Sequence, residues 1–213
     1  MFKFCAVTDR KLLKDRKMED VITDVIKGGV DAVQIREKDL SSKDLLELAL
    51  KLREITKNKA LLIINDRVDI AFLANADGIH LGRNSMSLSE VKKLKDKFNY
   101  PMLTGVSCHS IKDIIKAEEN KADYVFLGPV FWTSSKAKYG NPLGIDTLRK
   151  AREKTKIKII AIGGINDNNA GECMDAGADG VAVISSIFAS SNPMVSAKKI
   201  FEKIKYSSCM NIK

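Results

Sequence analysis

Three apolar runs in the second half of the chain each end in small or hydroxyl-bearing residues. Residues 124–127 lead into Gly128-Pro129, residues 159–162 into two glycines, and residues 180–184 into two serines. Glycine and serine leave backbone N–H groups accessible to an anion, and a helix that begins beyond a strand adds partial positive charge. We therefore predict a binding site for the phosphate of a small molecule. The residues expected there are Thr133, Ser135, Lys136, Gly163, Gly164, Ile184 and Ser185.

A second group of polar residues follows an earlier apolar run. Gln34, Arg36 and Lys38 alternate along the chain, so a strand would direct all three side chains to one face. Two cations inside a barrel require an anion or a salt bridge. Two explanations stay open: a site for an anionic substrate, or an internal ion pair with Glu37 or Asp66.

The third group is Asn65-Asp66-Arg67, which follows the next buried run. Asp66 at a barrel mouth could hold Mg²⁺ on a diphosphate, because hard cations prefer carboxylate oxygen. It could equally be the N-cap of the following helix. The local residues leave both interpretations open, with Asn65 as a neighbouring substrate-binding candidate.

The chain has two histidines, His80 and His109. His109 comes just after the run that contains Ser107, at a strand end where a group of near-neutral pKa can act as general acid and base. Its alternative is a structural, helix-capping role. Alternation places His80 inside the barrel or at its mouth, where a structural role is the simpler explanation.

Short β-branched runs alternate with amphipathic helical patterns from end to end. We predict strands at 2–8, 32–36, 60–65, 78–81, 102–107, 124–127, 157–163 and 180–184, and helices at 19–27, 43–56, 68–74, 88–98, 111–120, 145–154, 168–176 and 193–206. Eight strand–helix pairs favour a parallel α/β fold. The count of eight, and the polar residues at so many strand ends, favour a closed (β/α)8 TIM barrel over an open doubly wound sheet.

Composition limits the class of protein further. The length of 213 residues fits a single domain, residues 1–213, and no apolar run is long enough for a membrane span. The start of the chain carries no signal-peptide pattern, and the four cysteines are scattered, so we expect a cytoplasmic protein. The net charge of +9 comes from lysines interleaved with acidic residues, which argues against nucleic-acid binding.

These motifs, in this order, resemble those of the thiamin phosphate synthase superfamily. The matching segments are Val7-Thr8-Asp9, Gln34-x-Arg36-Glu37-Lys38, Asn65-Asp66-Arg67, Asp77-Gly78-Ile79-His80-Leu81-Gly82, Gly105-Val106-Ser107, Gly128-Pro129-Val130-Phe131, Thr133-x-Ser135-Lys136, Ala161-Ile162-Gly163-Gly164-Ile165 and the run from Gly177 to Ser185. The resemblance spans nearly the whole chain. It implies a (β/α)8 barrel that binds the phosphate of hydroxyethylthiazole phosphate, and it leaves a homo-oligomer possible.

The superfamily has two branches with different chemistry. The synthase couples a pyrimidine diphosphate to the thiazole phosphate, with Mg²⁺ on two aspartates. The resemblance places the first at Asp66 and the second at position 85, where this chain has Ser85. A hydroxyl does not replace the charge of a carboxylate on Mg²⁺.

The other branch, thiazole tautomerase, needs no metal and aromatises a carboxythiazole phosphate by moving a proton. The resemblance assigns the acid/base role to His109. The candidates for holding the carboxylate and stabilising charge are Arg36 with Lys38, or Lys136. Because of Ser85, and because residues 81–86 and 133–144 resemble this branch, we predict the tautomerase. The Mg²⁺-dependent synthase is the alternative, and a non-catalytic, ligand-sensing barrel is a third.

Overall fold

The computed structural model describes residues 1–133 and 141–210, with side chains described as far as residue 205. Eight parallel strands pair in chain order and close into a barrel, with the last strand beside the first. The strands are β1 (Phe4–Val7), β2 (Ala32–Ile35), β3 (Leu61–Asn65), β4 (Gly78–Leu81), β5 (Leu103–Cys108), β6 (Tyr124–Leu127), β7 (Lys158–Ile162) and β8 (Gly180–Val183). The prediction of a (β/α)8 TIM barrel is confirmed.

The helices lie between the strands and after the last one. They are α1 (Met18–Lys27), α2 (Ser42–Thr56), α3 (Val68–Leu73), α4 (Leu88–Phe98), α5 (Ile111–Glu119), α6 (Ile145–Lys154), α7 (Ala170–Asp175), α8 (Ser185–Phe188) and α9 (Pro193–Met210). Serine side chains begin three of them, because Ser41, Ser87 and Ser110 each accept the N–H of the residue three positions further on.

The core has two layers on opposite faces of the strands. The outer faces pack beneath the helices, with Ile22 of α1, Leu52 of α2 and Ile114 of α5 fully buried there. The barrel interior is filled by a smaller cluster that includes Tyr124 and Phe126. Because this cluster fills the interior, a substrate can bind only at the carboxyl ends of the strands, where active sites of TIM barrels lie.

Glycine makes room for the largest side chain of the barrel interior. A Cβ at Gly105 would lie 2.1 Å from Cζ of Tyr124, so only glycine fits at that position of β5. The phenol of Tyr124 therefore lies within the barrel, where its ring also meets Phe2 edge-on at 5.1 Å between centroids.

Two local differences from the sequence prediction affect the site. β2 ends at Ile35, so Lys38 lies in a turn and not on the strand, and the alternation that we expected to align it with Gln34 does not extend that far. The short helix α8 follows β8 directly, where we predicted no helix. Within the described ranges, no helix is both long enough and apolar enough to span a membrane.

Candidate active site

Gln34 lies inside the barrel at the carboxyl end of β2. Only 2% of its surface is exposed, and its Nε2 donates to Oδ1 of Asn65 on β3 across 3.3 Å. Its Oε1 is buried and has no hydrogen-bond partner in the described part of the chain. A buried acceptor without a donor is costly, so this oxygen is available to an N–H group of a ligand.

Arg36 follows Gln34 at the mouth and is half-buried. Glu37 makes no ion pair with it, and the carboxylate of Glu37 binds the guanidinium of Arg10 at 3.3 Å instead. Asp66 makes no ion pair with Arg36 either, so the predicted internal salt bridge is wrong for both partners. Arg36, and the exposed Lys38 beyond it, have no ion-pair partner among the described residues and add positive charge at the mouth.

Asp66 lies just beyond β3 with a left-handed backbone, at φ 69°. Its N–H donates to the carbonyl of His80 across 2.9 Å, which ties it to β4. The helix-cap interpretation is wrong, because the N-cap of α3 is Arg67, and the guanidinium of Arg67 binds Asp69. The carboxylate of Asp66 is exposed and accepts no hydrogen bond from a described residue.

Ser85, at the position of the second aspartate, accepts the N–H of Gly82 across 2.7 Å and so closes its own loop. In the ranges 1–133 and 141–210, no three His, Cys, Asp or Glu side chains form a metal-binding group. Mg²⁺ commonly binds through one or two carboxylates together with substrate phosphates and waters. Asp66 therefore fits an ion that a diphosphate also binds, and does not fit a metal site made by the protein alone.

His109 follows β5 and is exposed at the mouth. Its Nδ1 lies 2.5 Å from the carbonyl oxygen of Gly128. A carbonyl oxygen only accepts, so Nδ1 carries the hydrogen and a neutral imidazole presents a bare Nε2. The N-cap of α5 is Ser110, so the side chain of His109 is not a helix cap. This orientation suits a general base.

His80 lies inside the barrel and is 1% exposed. Burial, with a smaller contribution from the positive charge of Arg36, lowers the pKa of His80 to about 3, so the ring is neutral at physiological pH. Its Nε2 lies 2.9 Å from Oγ of Ser107, and its Nδ1 lies 3.3 Å from the hydroxyl of Tyr124. Sequence reasoning missed Tyr124, although its alternation with Phe126 indicates an inward position.

The glycine pair after β7 has positive φ angles, 98° at Gly163 and 70° at Gly164. A Cβ at Gly164 would lie 2.5 Å from the carbonyl oxygen of Trp132, so the loop after β6, and not a ligand, occupies that side of the glycine. Gly164 makes no backbone hydrogen bond through its N–H to any described residue, and that N–H is available to an anion.

The predicted phosphate site continues at the end of β8. Ile184 is the N-cap of α8, and Ser185 and Ser186 begin this helix, whose first N–H groups lack acceptors within the helix. Loops after the seventh and eighth strands, together with a short extra helix, form the phosphate site of many TIM barrels. Thr133 is half-buried at the end of the described loop, whereas Ser135 and Lys136 lie outside the described residues.

A closed parallel barrel with its polar groups at the carboxyl ends of the strands defines a TIM barrel of the enzyme type. The family model described as "Thiamine monophosphate synthase" matches residues 4–187, and the chain belongs to that family. The predicted superfamily is therefore confirmed.

Similar proteins agree with this assignment. Thiamine-phosphate synthase of Clostridium acetobutylicum is 41% identical over 210 residues, which is 97% of each chain. The enzyme of that name from Chloroflexus aurantiacus is 39% identical over 200 residues, 93% of this chain and 91% of the relative. A solved structure of thiamine phosphate pyrophosphorylase from Pyrococcus furiosus superposes with a TM-score of 0.88 at 31% identity, covering 97% of this chain and 96% of the other.

These names favour the synthase, which the sequence analysis held as its alternative, over the tautomerase that it preferred. The difference comes from the weight given to position 85. The relatives resemble the chain over almost its whole length, whereas the preference for tautomerase depended on two short segments, residues 81–86 with Ser85 and residues 133–144.

Proposed function

We propose that this chain is a thiamin phosphate synthase. It couples hydroxymethylpyrimidine diphosphate to hydroxyethylthiazole phosphate: the C–O bond to the diphosphate breaks, a C–N bond to the thiazole nitrogen forms, and diphosphate leaves. The names of the relatives support this reaction. The sensor alternative has little support, because a disabled mouth would lack the available groups found here.

The observation that carries the proposal is the carboxylate of Asp66. It is exposed at the mouth, its backbone is held in a left-handed conformation, and none of the described residues uses its oxygens. An aspartate in a strained conformation without a structural role indicates a functional one. A metal-free tautomerisation has no evident use for it.

The neighbouring residues suit a diphosphate substrate. Arg36 and Lys38 add positive charge near Asp66, and Gln34 presents an acceptor for an N–H group of the pyrimidine. Mg²⁺, held by Asp66 and the diphosphate, would neutralise charge on the leaving group. The backbone N–H groups of Gly164 and Ser185 would bind the phosphate of the thiazole substrate on the other side of the mouth.

Tautomerisation is a second candidate, favoured by the geometry of His109. Its Nδ1 is fixed by the carbonyl of Gly128, so Nε2 can take a proton from the ring carbon and return it to the exocyclic carbon. Ser85 is compatible with this chemistry because no metal is involved.

Two assays on the purified protein separate the candidates. In the first, both coupling substrates are supplied with and without Mg²⁺ and thiamin phosphate is measured; in the second, carboxythiazole phosphate is supplied alone and aromatic product is measured. We expect Mg²⁺-dependent coupling at roughly 1 s⁻¹ or faster. Asp66→Asn should reduce coupling, and His109→Asn is assayed beside it as the matched variant. Aromatisation that His109→Asn removes, without coupling, would establish the tautomerase instead; binding without turnover in either assay would establish a sensor.

A further inference from the structure

Tyr124, His80 and Ser107 form a hydrogen-bonded chain that runs from the barrel interior to its mouth. The hydroxyl of Tyr124 lies 3.3 Å from Nδ1 of His80, and Nε2 of His80 lies 2.9 Å from Oγ of Ser107. Tyr124 is fully buried, His80 is almost so, and Ser107 is half-exposed at the end of β5. This hydrogen-bonded chain therefore joins the closed barrel interior to the proposed substrate site.

The direction of the hydrogen bonds follows from counting donors and acceptors. A neutral imidazole has one N–H and one bare nitrogen, so it donates to one neighbour and accepts from the other. If Nδ1 carried the hydrogen, the hydroxyl of Tyr124 would accept that bond and its own hydrogen would need another acceptor. Among residues 1–133 and 141–210, His80 is the hydroxyl's one hydrogen-bond partner.

A buried hydroxyl without an acceptor is strongly disfavoured. The opposite direction leaves no buried donor unsatisfied: Tyr124 donates to Nδ1, and Nε2–H donates to Oγ of Ser107. The hydrogen of Ser107 then points to no protein partner within the described chain and is available at the mouth. The ring of His80 is 1% exposed, and burial disfavours a charged imidazole, so the count for a neutral ring applies.

We propose that Tyr124 is a positioning residue that fixes the tautomer of His80 and thereby makes Ser107 a hydrogen-bond donor to a substrate acceptor atom. This inference rests on the proposed function only for the identity of that substrate. Tyr124 itself does not touch the substrate, since it lies beneath His80 in the barrel interior.

The tautomer can be measured without any activity. The chain has two histidines, so a ¹⁵N-histidine spectrum contains two imidazoles, and His109→Asn assigns them. We expect His80 to carry its hydrogen on Nε2 in the parent protein, and Tyr124→Phe to populate the other tautomer. A hydrogen on Nδ1 of His80 in the parent would overturn the proposal, even if the protein proves to be a synthase.

Kinetics tests whether this hydrogen-bonded chain acts through Ser107. Tyr124→Phe keeps the aromatic packing and removes only the hydroxyl, and Tyr100→Phe is a matched control because its hydroxyl bonds the carbonyl of Ala76 away from the barrel interior. We expect KM for one substrate to rise about five- to tenfold in Tyr124→Phe and in Ser107→Ala, and to stay within twofold in Tyr100→Phe.

The double variant decides whether Tyr124 acts through Ser107. Once the hydroxyl of Ser107 is absent, its orientation no longer matters, so Tyr124→Phe with Ser107→Ala should match Ser107→Ala alone. Losses that multiply would mean that Tyr124 acts by another route, and an unchanged KM in Tyr124→Phe would mean that it has a packing role only.

Discussion

Asp66 and Ser85 occupy the two positions at which the sequence resemblance places metal-binding aspartates. Asp66 leaves its carboxylate available, whereas the hydroxyl of Ser85 is bonded to the N–H of Gly82. One carboxylate gives Mg²⁺ a weak site, and a bound diphosphate adds the oxygen ligands that complete it. At the residue scale, the single carboxylate leads us to expect that Mg²⁺ binding depends on the substrate.

Calorimetry checks this dependence directly. We expect weak Mg²⁺ binding to the protein alone and much tighter binding in the presence of inorganic diphosphate. Asp66→Asn should weaken the second case by at least about tenfold, because loss of even an outer-shell partner commonly costs that much. Ser85→Asp should strengthen binding without diphosphate. Equal Mg²⁺ affinity with and without diphosphate in the parent would contradict the interpretation.

The position of the candidate site residues at the barrel mouth was more predictable than their partners. Gln34, Asp66 and His109 could be selected from the sequence because polar residues at strand ends are rarely structural in a barrel. The partners of these residues could not: the pairing of Glu37 with Arg10, and the N-cap at Arg67, depend on where the strands end. Tyr124 was missed because a tyrosine at the start of an apolar strand is typical of a core residue.

At the scale of elements, the helices that precede the even-numbered strands end in the same way. α1, α3, α5 and α7 are each followed, two positions on, by a residue of positive φ: Gly29, Asn75, Lys121 and Gly177. In each case the next N–H bonds a carbonyl five residues back, across 2.9 to 3.1 Å. This is the hydrogen-bond pattern of a Schellman cap, which favours glycine at the left-handed position.

Lys121 is the member of this set least suited to its backbone. Its φ is 61°, a conformation that costs a side chain with a Cβ roughly 1–2 kcal/mol. Lys121→Gly should raise the free energy of unfolding by about 0.5–1 kcal/mol, after the greater entropy of glycine in the unfolded chain is subtracted. Urea denaturation measures the change.

The matched control is Lys116→Gly, the same substitution on an exposed position within α5, where the backbone is right-handed. Glycine in a helix interior should lower stability by about 1 kcal/mol. A loss of stability in both variants would show that the left-handed conformation of Lys121 carries no cost.

At the scale of the whole molecule, the four helix ends belong to a fourfold sequence repeat. The segments GGVDAVQI, ANADGIHL, NKADYVFL and AGADGVAV begin at residues 28, 74, 120 and 176 and lead into β2, β4, β6 and β8. Their seventh positions are Gln34, His80, Phe126 and Ala182, a set drawn from alternate strands as in the interior layers of TIM barrels. The polar residues Gln34 and His80 thus occupy a structural position that recurs in all four repeats.

The aspartate of each repeat has the same structural role, at the amino ends of the strands. Asp31, Asp77, Asp123 and Asp179 each accept, through the side chain, the N–H of a residue at the start of the preceding odd-numbered strand. These N–H groups lie at the beginning of parallel strands, where the ladder leaves donors to be satisfied. Function at the carboxyl ends and stability at the amino ends are therefore carried by different residues.

Substitution of Asp31 tests this separation of function from stability most directly. Its carboxylate accepts the N–H of the fully buried Phe4 across 2.7 Å and that of Lys3 across 2.9 Å. Asp31→Ala leaves both donors unpaired and should lower the free energy of unfolding by about 1–3 kcal/mol, whereas Asp31→Asn keeps an acceptor oxygen and should lose less. Urea denaturation measures both variants.

Because Asp31 lies at the end of the barrel away from the mouth, KM and kcat of the folded fraction should stay within twofold of the parent. A change in substrate affinity without a loss of stability would place the function of Asp31 at the mouth instead, and the two ends of the barrel would not be independent.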